Sequence, residues 1–149
     1  MIITFCGHRD FVATPTLEER LLSILEDTIG ESDAELYLGG YGCFDTFAFR
    51  CGRIYKQLHP QVALVYVTPY ITTPSAKKAE AAQGNRYDQI LYPALENVPP
   101  RFAISHRNRY MVEQADVVIA YIQRARGGAY QTFQCAQRKG KTIYNLADM

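Results

Sequence analysis

Residues Val117-Val-Ile-Ala-Tyr-Ile122 form a short, β-branched apolar run with no polar alternation. Such a run fits a strand covered on both faces, and strands of that kind belong to parallel sheets with helices above and below. The flanking residues are patterned to match. Ile104 to Ala115 has helical spacing, with Ile104, Met111 and Ala115 on one stripe and Arg107 and Asn108 on the same stripe near its start. After the strand, Gly127-Gly128 allows a tight turn into another helix. Thr132 is placed in the first turn of that helix, Ala129, Phe133 and Ala136 on its buried side, and Gly140 at its end. A glycine turn from strand into helix presents free N–H groups and the positive end of a helix dipole, which suits a phosphate.

The rest of the chain alternates in the same way. Ile2-Ile-Thr-Phe-Cys6 reads as the first strand and Gly7-His-Arg-Asp10 as its loop. Thr14-Pro15-Thr16 opens a helix, either through a Thr16–Glu19 capping box or with Thr14 as cap and Pro15 in the first position. Leu17, Leu21, Ile24, Leu25 and Thr28 trace its inward stripe, and Gly30 closes it. Glu35–Leu38 is the second strand, followed by Gly39-Gly-Tyr-Gly42 and a helix from about Cys43, with Phe44, Phe47, Ala48, Cys51, Ile54, Tyr55 and Leu58 facing inward. Val62–Val67 is the third strand and Lys141–Leu146 the last. Between them, residues 68–101 carry five prolines and a short strand or turn around Ile90, and read as either a flap over a site or an inert surface loop. The expected fold is α/β: a Rossmann-like, doubly wound, mostly parallel five-stranded sheet flanked by helices, forming one domain over 1–149.

Charge and composition narrow the function. Sixteen Lys+Arg face fifteen Asp+Glu, a formal charge of +1 with no basic run, so bulk electrostatic capture of nucleic acid or of an anionic membrane is not expected. No apolar stretch approaches the roughly 20 residues of a bilayer span and no leader pattern opens the chain, so a cytoplasmic protein is expected. Cys6, Cys43, Cys51 and Cys135 are scattered without a CxxC, which suggests reduced thiols in or near the core, not a metal site.

In a doubly wound sheet the ligand lies beyond the carboxyl ends of the strands, where the strand order reverses. Three loops should meet there: Gly7-His8-Arg9-Asp10, Gly39-Gly40-Tyr41-Gly42 running to Asp45, and Arg124 to Thr132. Two glycine turns opening helices on one sheet edge point to a phosphate-bearing ligand. Arg9 could clamp a phosphate or form a surface ion pair. His8 is either a hydrogen-bonded structural residue or a base. Asp45 either stabilises a helix dipole or binds ribose hydroxyls. Arg107 and Asn108 are polar groups on an inward stripe and need partners, a ligand or an internal carboxylate such as Asp116. Tyr41 or Tyr130 could stack on a base.

Taken together, Phe5-Cys-Gly-His-Arg9, Gly39-Gly-Tyr-Gly-Cys-Phe-Asp45, Arg107-Asn-Arg-Tyr-Met111 and Gly127-Gly-Ala-Tyr-Gln-Thr132 resemble the SLOG superfamily, and more narrowly its YpsA-type bacterial branch. The resemblance spans nearly the whole chain. It implies a Rossmann-like domain for a nucleotide or a nucleotide-derived molecule such as ADP-ribose, with no required cofactor and with self-association as a homodimer. Its enzymatic branch, the LOG-type phosphoribohydrolases, carries Arg-Lys-x-x-Met on a helix and Pro-Gly-Gly-x-Gly-Thr-x-Glu-Glu after the next strand. Arg107, Gly127, Gly128 and Thr132 match that pattern. Asn108 replaces the Lys, Met111 falls one place late, and Gln134 and Cys135 stand where the two acids would be. Glutamine cannot take up a proton as a general base does. The first expectation is therefore a binding or sensing module. The alternative is an N-glycosidase with Arg107 stabilising charge and Asp45 or Asp10 as a displaced acid. A single-stranded DNA-binding module, as in the superfamily's DprA branch, is the third.

Overall fold

Strand and helix alternate along the computed structural model, which describes residues 1–70 and 86–149. Numbered in chain order, the elements are β1 (Ile2–Gly7), α1 (Pro15–Ile29), β2 (Ala34–Leu38), α2 (Cys43–Leu58), β3 (Val62–Val67), β4 (Gln89–Leu91), α3 (Ala103–Gln114), β5 (Val117–Tyr121), α4 (Gly128–Arg138) and β6 (Thr142–Asn145). The sheet order is β4-β3-β2-β1-β5-β6, and every pairing is parallel.

The sheet has six strands, one more than the expected five. The extra strand, β4, is three residues long and pairs only with β3, from Val65↔Gln89 to Val67↔Leu91. Gln89 and Ile90 are exposed, so this edge strand carries no apolar run to mark it. The flap reading of residues 68–101 falls in part on residues 71–85, which lie outside the described residues.

The period-two geometry of the strands divides the core. Ile3, Phe5, Leu36, Leu38, Leu64, Val117 and Ile119 face α1 and α2. Their neighbours Cys6, Val118 and Ala120 pack with Val112 of α3 and Ala136 of α4, and Tyr37, Val65 and Val67 close on Met111. Helices on both faces make the sheet doubly wound. Of the two caps open to α1, the structure uses Thr14: its hydroxyl oxygen accepts from Leu17 N at 3.2 Å with Pro15 opening the helix.

Several stripe positions differ from expectation. Ile54, Leu58 and Ile104 are exposed, Leu58 at 84%, and Ile29 rather than Thr28 ends the buried stripe of α1. Each lies at a helix end or flank, where the stripe leaves the sheet. No described helix is long and apolar enough to cross a membrane.

Candidate functional site

β1 is the point where the chain changes direction across the sheet. β2 and β3 lie on one side of it and β5 and β6 on the other, which opens a crevice at the carboxyl ends of β1 and β5. A cleft of about 840 Å³ fills it, lined by residues from all three of the anticipated loops and by α3. That volume lies in the range of small-molecule sites. Gly7, His8, Arg9, Tyr41, Asp45, Arg107, Asn108, Gly127, Gly128 and Thr132 line the cleft; Gly39, Gly40, Gly42 and Tyr130 do not.

Arg107 is the central side chain. Only 4% of it is exposed, and it is the one charged side chain on a buried stripe otherwise made by Ala103, Met111 and Val112. Asp116 does not serve it, because that carboxylate accepts from Ile2 N at 2.8 Å. Instead Nη1 donates to Gly39 O and to Val67 O, both at 3.0 Å, and Nε donates to Asn108 Oδ1 at 2.9 Å. One guanidinium thus ties α3 to the carboxyl ends of β2 and β3. Nη2 has no hydrogen-bond partner among the described residues, so two of its five donors remain for something else. Burial lowers the pKa of Arg107 and the nearby charge of Asp45 opposes that shift; a guanidinium stays charged regardless.

Asp45 occupies the first turn of α2, and Tyr41 N donates to its Oδ2 at 3.1 Å. Its pKa is pushed up to about 6, because burial outweighs the bond from Tyr41 and the positive charge of Arg107. Asp45 and Arg107 form no ion pair among the described residues, so the carboxyl group keeps a face toward the cleft. A carboxyl that titrates near neutrality can give or accept a proton under working conditions.

Asp10, the other acid offered as a substitute, is differently placed. It forms a bidentate pair with Arg124 at 2.8 and 3.0 Å, and that bond holds its pKa below the usual carboxylate range. An ionised, engaged carboxylate is a poor proton donor. The pair instead clasps the loop after β1 to the loop after β5.

His8 does the same from within. Its Nε2 faces the backbone N–H groups of Gln123 and Arg124 at 3.0 and 3.2 Å, which requires that nitrogen to be an unprotonated acceptor. Burial, then Arg124, lowers its pKa, consistent with a neutral ring holding the loop in place.

The glycines divide by what surrounds them. A Cβ on Gly7 would lie 2.3 Å from Phe44 Cγ, and one on Gly39 would lie 2.9 Å from Arg107 Cζ. A Cβ on Gly127 or Gly128 would meet nothing within 4 Å among the described residues. Thr132 falls in the second turn of α4, not the first, and its hydroxyl donates to Gly128 O at 3.0 Å, so it does not offer that proton to the cleft. Tyr130 stands beside Phe133, ring centroids 6.4 Å apart.

Arg124 and Arg126 also line the cleft, and neither was singled out from the sequence. Their position just before the Gly127-Gly128 turn was the available signal. Arg9 and Arg126 are exposed, and their side chains have no hydrogen-bond partner among the described residues.

No family model matches the chain, and no curated protein does. Among the solved structures that are similar are two of DNA processing protein A. One is DNA processing protein A from Helicobacter pylori, described for its single-stranded DNA binding mode, with a TM-score of 0.62 and 19% identity over 96% of this chain and 63% of that one. The other is DNA processing protein A (DprA) from Streptococcus pneumoniae, with a TM-score of 0.64 and 16% identity over 96% of this chain and 49% of that one. The chain therefore spans less than two thirds of the length of either. At these identities the likeness is one of architecture: this chain shares the Rossmann-like α/β fold of the DNA processing protein A structures.

Proposed function

We propose that the cleft binds a nucleotide or nucleotide-derived small molecule, of the nucleoside monophosphate or ADP-ribose/NAD-related kind, through its phosphate. The observation that carries this reading is Arg107: a guanidinium 4% exposed, with Nη2 unpartnered among the described residues, lining the cleft at the strand-order reversal. Two further features support it. The N-terminus of α4, which no side chain caps, opens at Gly127-Gly128, where an added Cβ would meet no described residue, and Arg9 and Arg126 stand at the same cleft.

Thermal denaturation against AMP, ADP-ribose and NAD, with each mixture chromatographed for released base, tests the proposal. A ligand that binds only the native state raises the midpoint by mass action. A shift with the ligand intact, and lost in Arg9→Ala, supports a sensing or binding module. Released base that disappears in Asp45→Asn would make the protein an N-glycosidase, with Asp45 in place of the absent acid pair. No shift with any of these compounds refutes the reading.

Single-stranded DNA binding is the second reading, favoured by the fold shared with a Helicobacter pylori protein described as binding single-stranded DNA. It requires affinity for an oligothymidylate that falls steeply with salt, since each neutralised phosphate releases counterions. Salt-insensitive or absent binding removes it.

A further inference from the structure

The cleft does not stop at α4. A second groove of about 260 Å³ runs between α3 and α4 and shares Ile104, Asn108, Gly128 and Thr132 with the first. Ser105 and Arg109 stand one turn apart on its α3 wall, and Arg101 reaches the groove from the 3-10 turn Pro100–Phe102 that precedes the helix. Across from them on α4 stand Gln131 and Cys135. Among the described residues the groove is lined by two arginines and no acid.

The arginine bias extends through both spaces. Six of the eleven arginines line the cleft or the groove, while none of the three lysines among the described residues does. In a chain of formal charge +1, that segregation favours a ligand with more than one anionic group and with planar oxygens that a guanidinium can grip twice. Asn108 stands at the junction. Its Oδ1 is taken by Arg107, which leaves the amide nitrogen as a donor without a partner among the described residues. Arg109 is exposed and likewise has no partner among them. Arg101 lies over the Phe102 ring at 4.8 Å.

We infer that the ligand carries a second anionic group and that the α3–α4 groove holds it between Arg101 and Arg109, past Asn108. The ligand class is then a nucleotide extended through a diphosphate, not a simple nucleoside monophosphate. This rests on the nucleotide reading of the main cleft.

Calorimetric titration separates the two claims. The probes are nucleoside 5′-monophosphates of the four bases, the matching 5′-diphosphates and diphosphate-sugars, and an oligothymidylate, at fixed ionic strength. At least one diphosphate compound is expected to bind tenfold or more tightly than its monophosphate. The double variant Arg101→Gln/Arg109→Gln should reduce that advantage to threefold or less while leaving monophosphate affinity unchanged. Both residues are exposed, so its melting temperature should match the parent's, which establishes that the variant folds. Monophosphate binding with no diphosphate advantage, or an advantage the double variant retains, overturns the inference and leaves the cleft reading standing. No nucleotide binding at all overturns both. Tight oligothymidylate binding that the double variant weakens, with no small nucleotide bound, assigns the groove to a polynucleotide and overturns the inference.

Discussion

The turn after β2 and the turn after β5 look alike in sequence, Gly39-Gly-Tyr-Gly42 and Gly127-Gly-Ala-Tyr130. Each leads a strand into a helix whose N-cap glycine has a positive φ, 91° at Gly42 and 93° at Gly127. Their surroundings are opposite. The first is packed shut: Gly39 lies under the Arg107 guanidinium, and a Cβ on Gly42 would be 3.0 Å from the Arg9 backbone. At the second, a Cβ on either glycine would meet nothing within 4 Å among the described residues. Glycine thus meets two different needs. After β2 it makes room for the protein's own atoms, above all the side chain that organises the site. After β5 it leaves room that no described residue uses, which is where a ligand backbone or phosphate can approach.

The largest expected effect lies at the packed extreme. Gly7→Ala would set a methyl within 2.3–2.7 Å of three Phe44 atoms, and Phe44 is itself 1% exposed and cannot swing away. Overpacking of this kind should cost about 3 kcal/mol, read from the midpoint of urea denaturation; an unchanged midpoint would show that the packed side of the comparison is soft. Arg107→Met comes next. It keeps the volume but leaves Gly39 O and Val67 O without their guanidinium donor, for a loss of about 2 kcal/mol, and it should also abolish any nucleotide-induced rise in melting temperature.

Asp45→Asn should go the other way. The carboxyl has its pKa raised from 3.8 to about 6 in the folded protein, so the native state holds the proton more tightly than the unfolded chain. Wild-type stability therefore falls as pH rises through that window, and the cost is complete above it. The asparagine variant, which can still accept from Tyr41 N, should be more stable by about 1–2 kcal/mol at pH 8, after a discount for solvent at a half-buried group. The gain should vanish below about pH 4, and melting curves across pH measure it. A gain that persists in acid would mean that burial of the charge is not its source.

Gly128→Ala is the smallest change in stability and the sharpest discriminator between the two turns. The residue begins α4 without a positive φ and with no neighbour to meet a methyl. Stability should hold or rise by up to about 1 kcal/mol, while nucleotide affinity in the same preparation drops tenfold or more. Unchanged affinity would mean that the empty space is merely surface.

The alternation of strands and helices was legible because its signals are local. Val62–Val67 and Val117–Tyr121 announce themselves as apolar runs, and Pro15 and Gly30 mark the two ends of α1. β4 was legible only as a strand or turn around Ile90, because an exposed three-residue edge has no buried face to pattern its residues. The cleft could be assembled on paper from its three loops, since a doubly wound sheet brings those loops together. The roles within it could not. Asp10 and Asp45 are both aspartates beside glycine-bearing loops, yet one lies clamped by Arg124 and the other has its pKa raised by burial.

What the sequence by itself determined is the set of elements other than the edge strand β4, their order and the edge of the sheet at which the glycine turns gather. Periodicity, caps and turn residues act over a few positions and leave a direct trace in the chain. Only the tertiary structure decided what each polar group answers to. The carbonyls that hold Arg107 come from residues 68 and 40 positions away, and His8 meets its backbone donors 115 and 116 positions away. Hydrogen bonds and desolvation depend on which atoms converge in space, and no local pattern encodes that convergence.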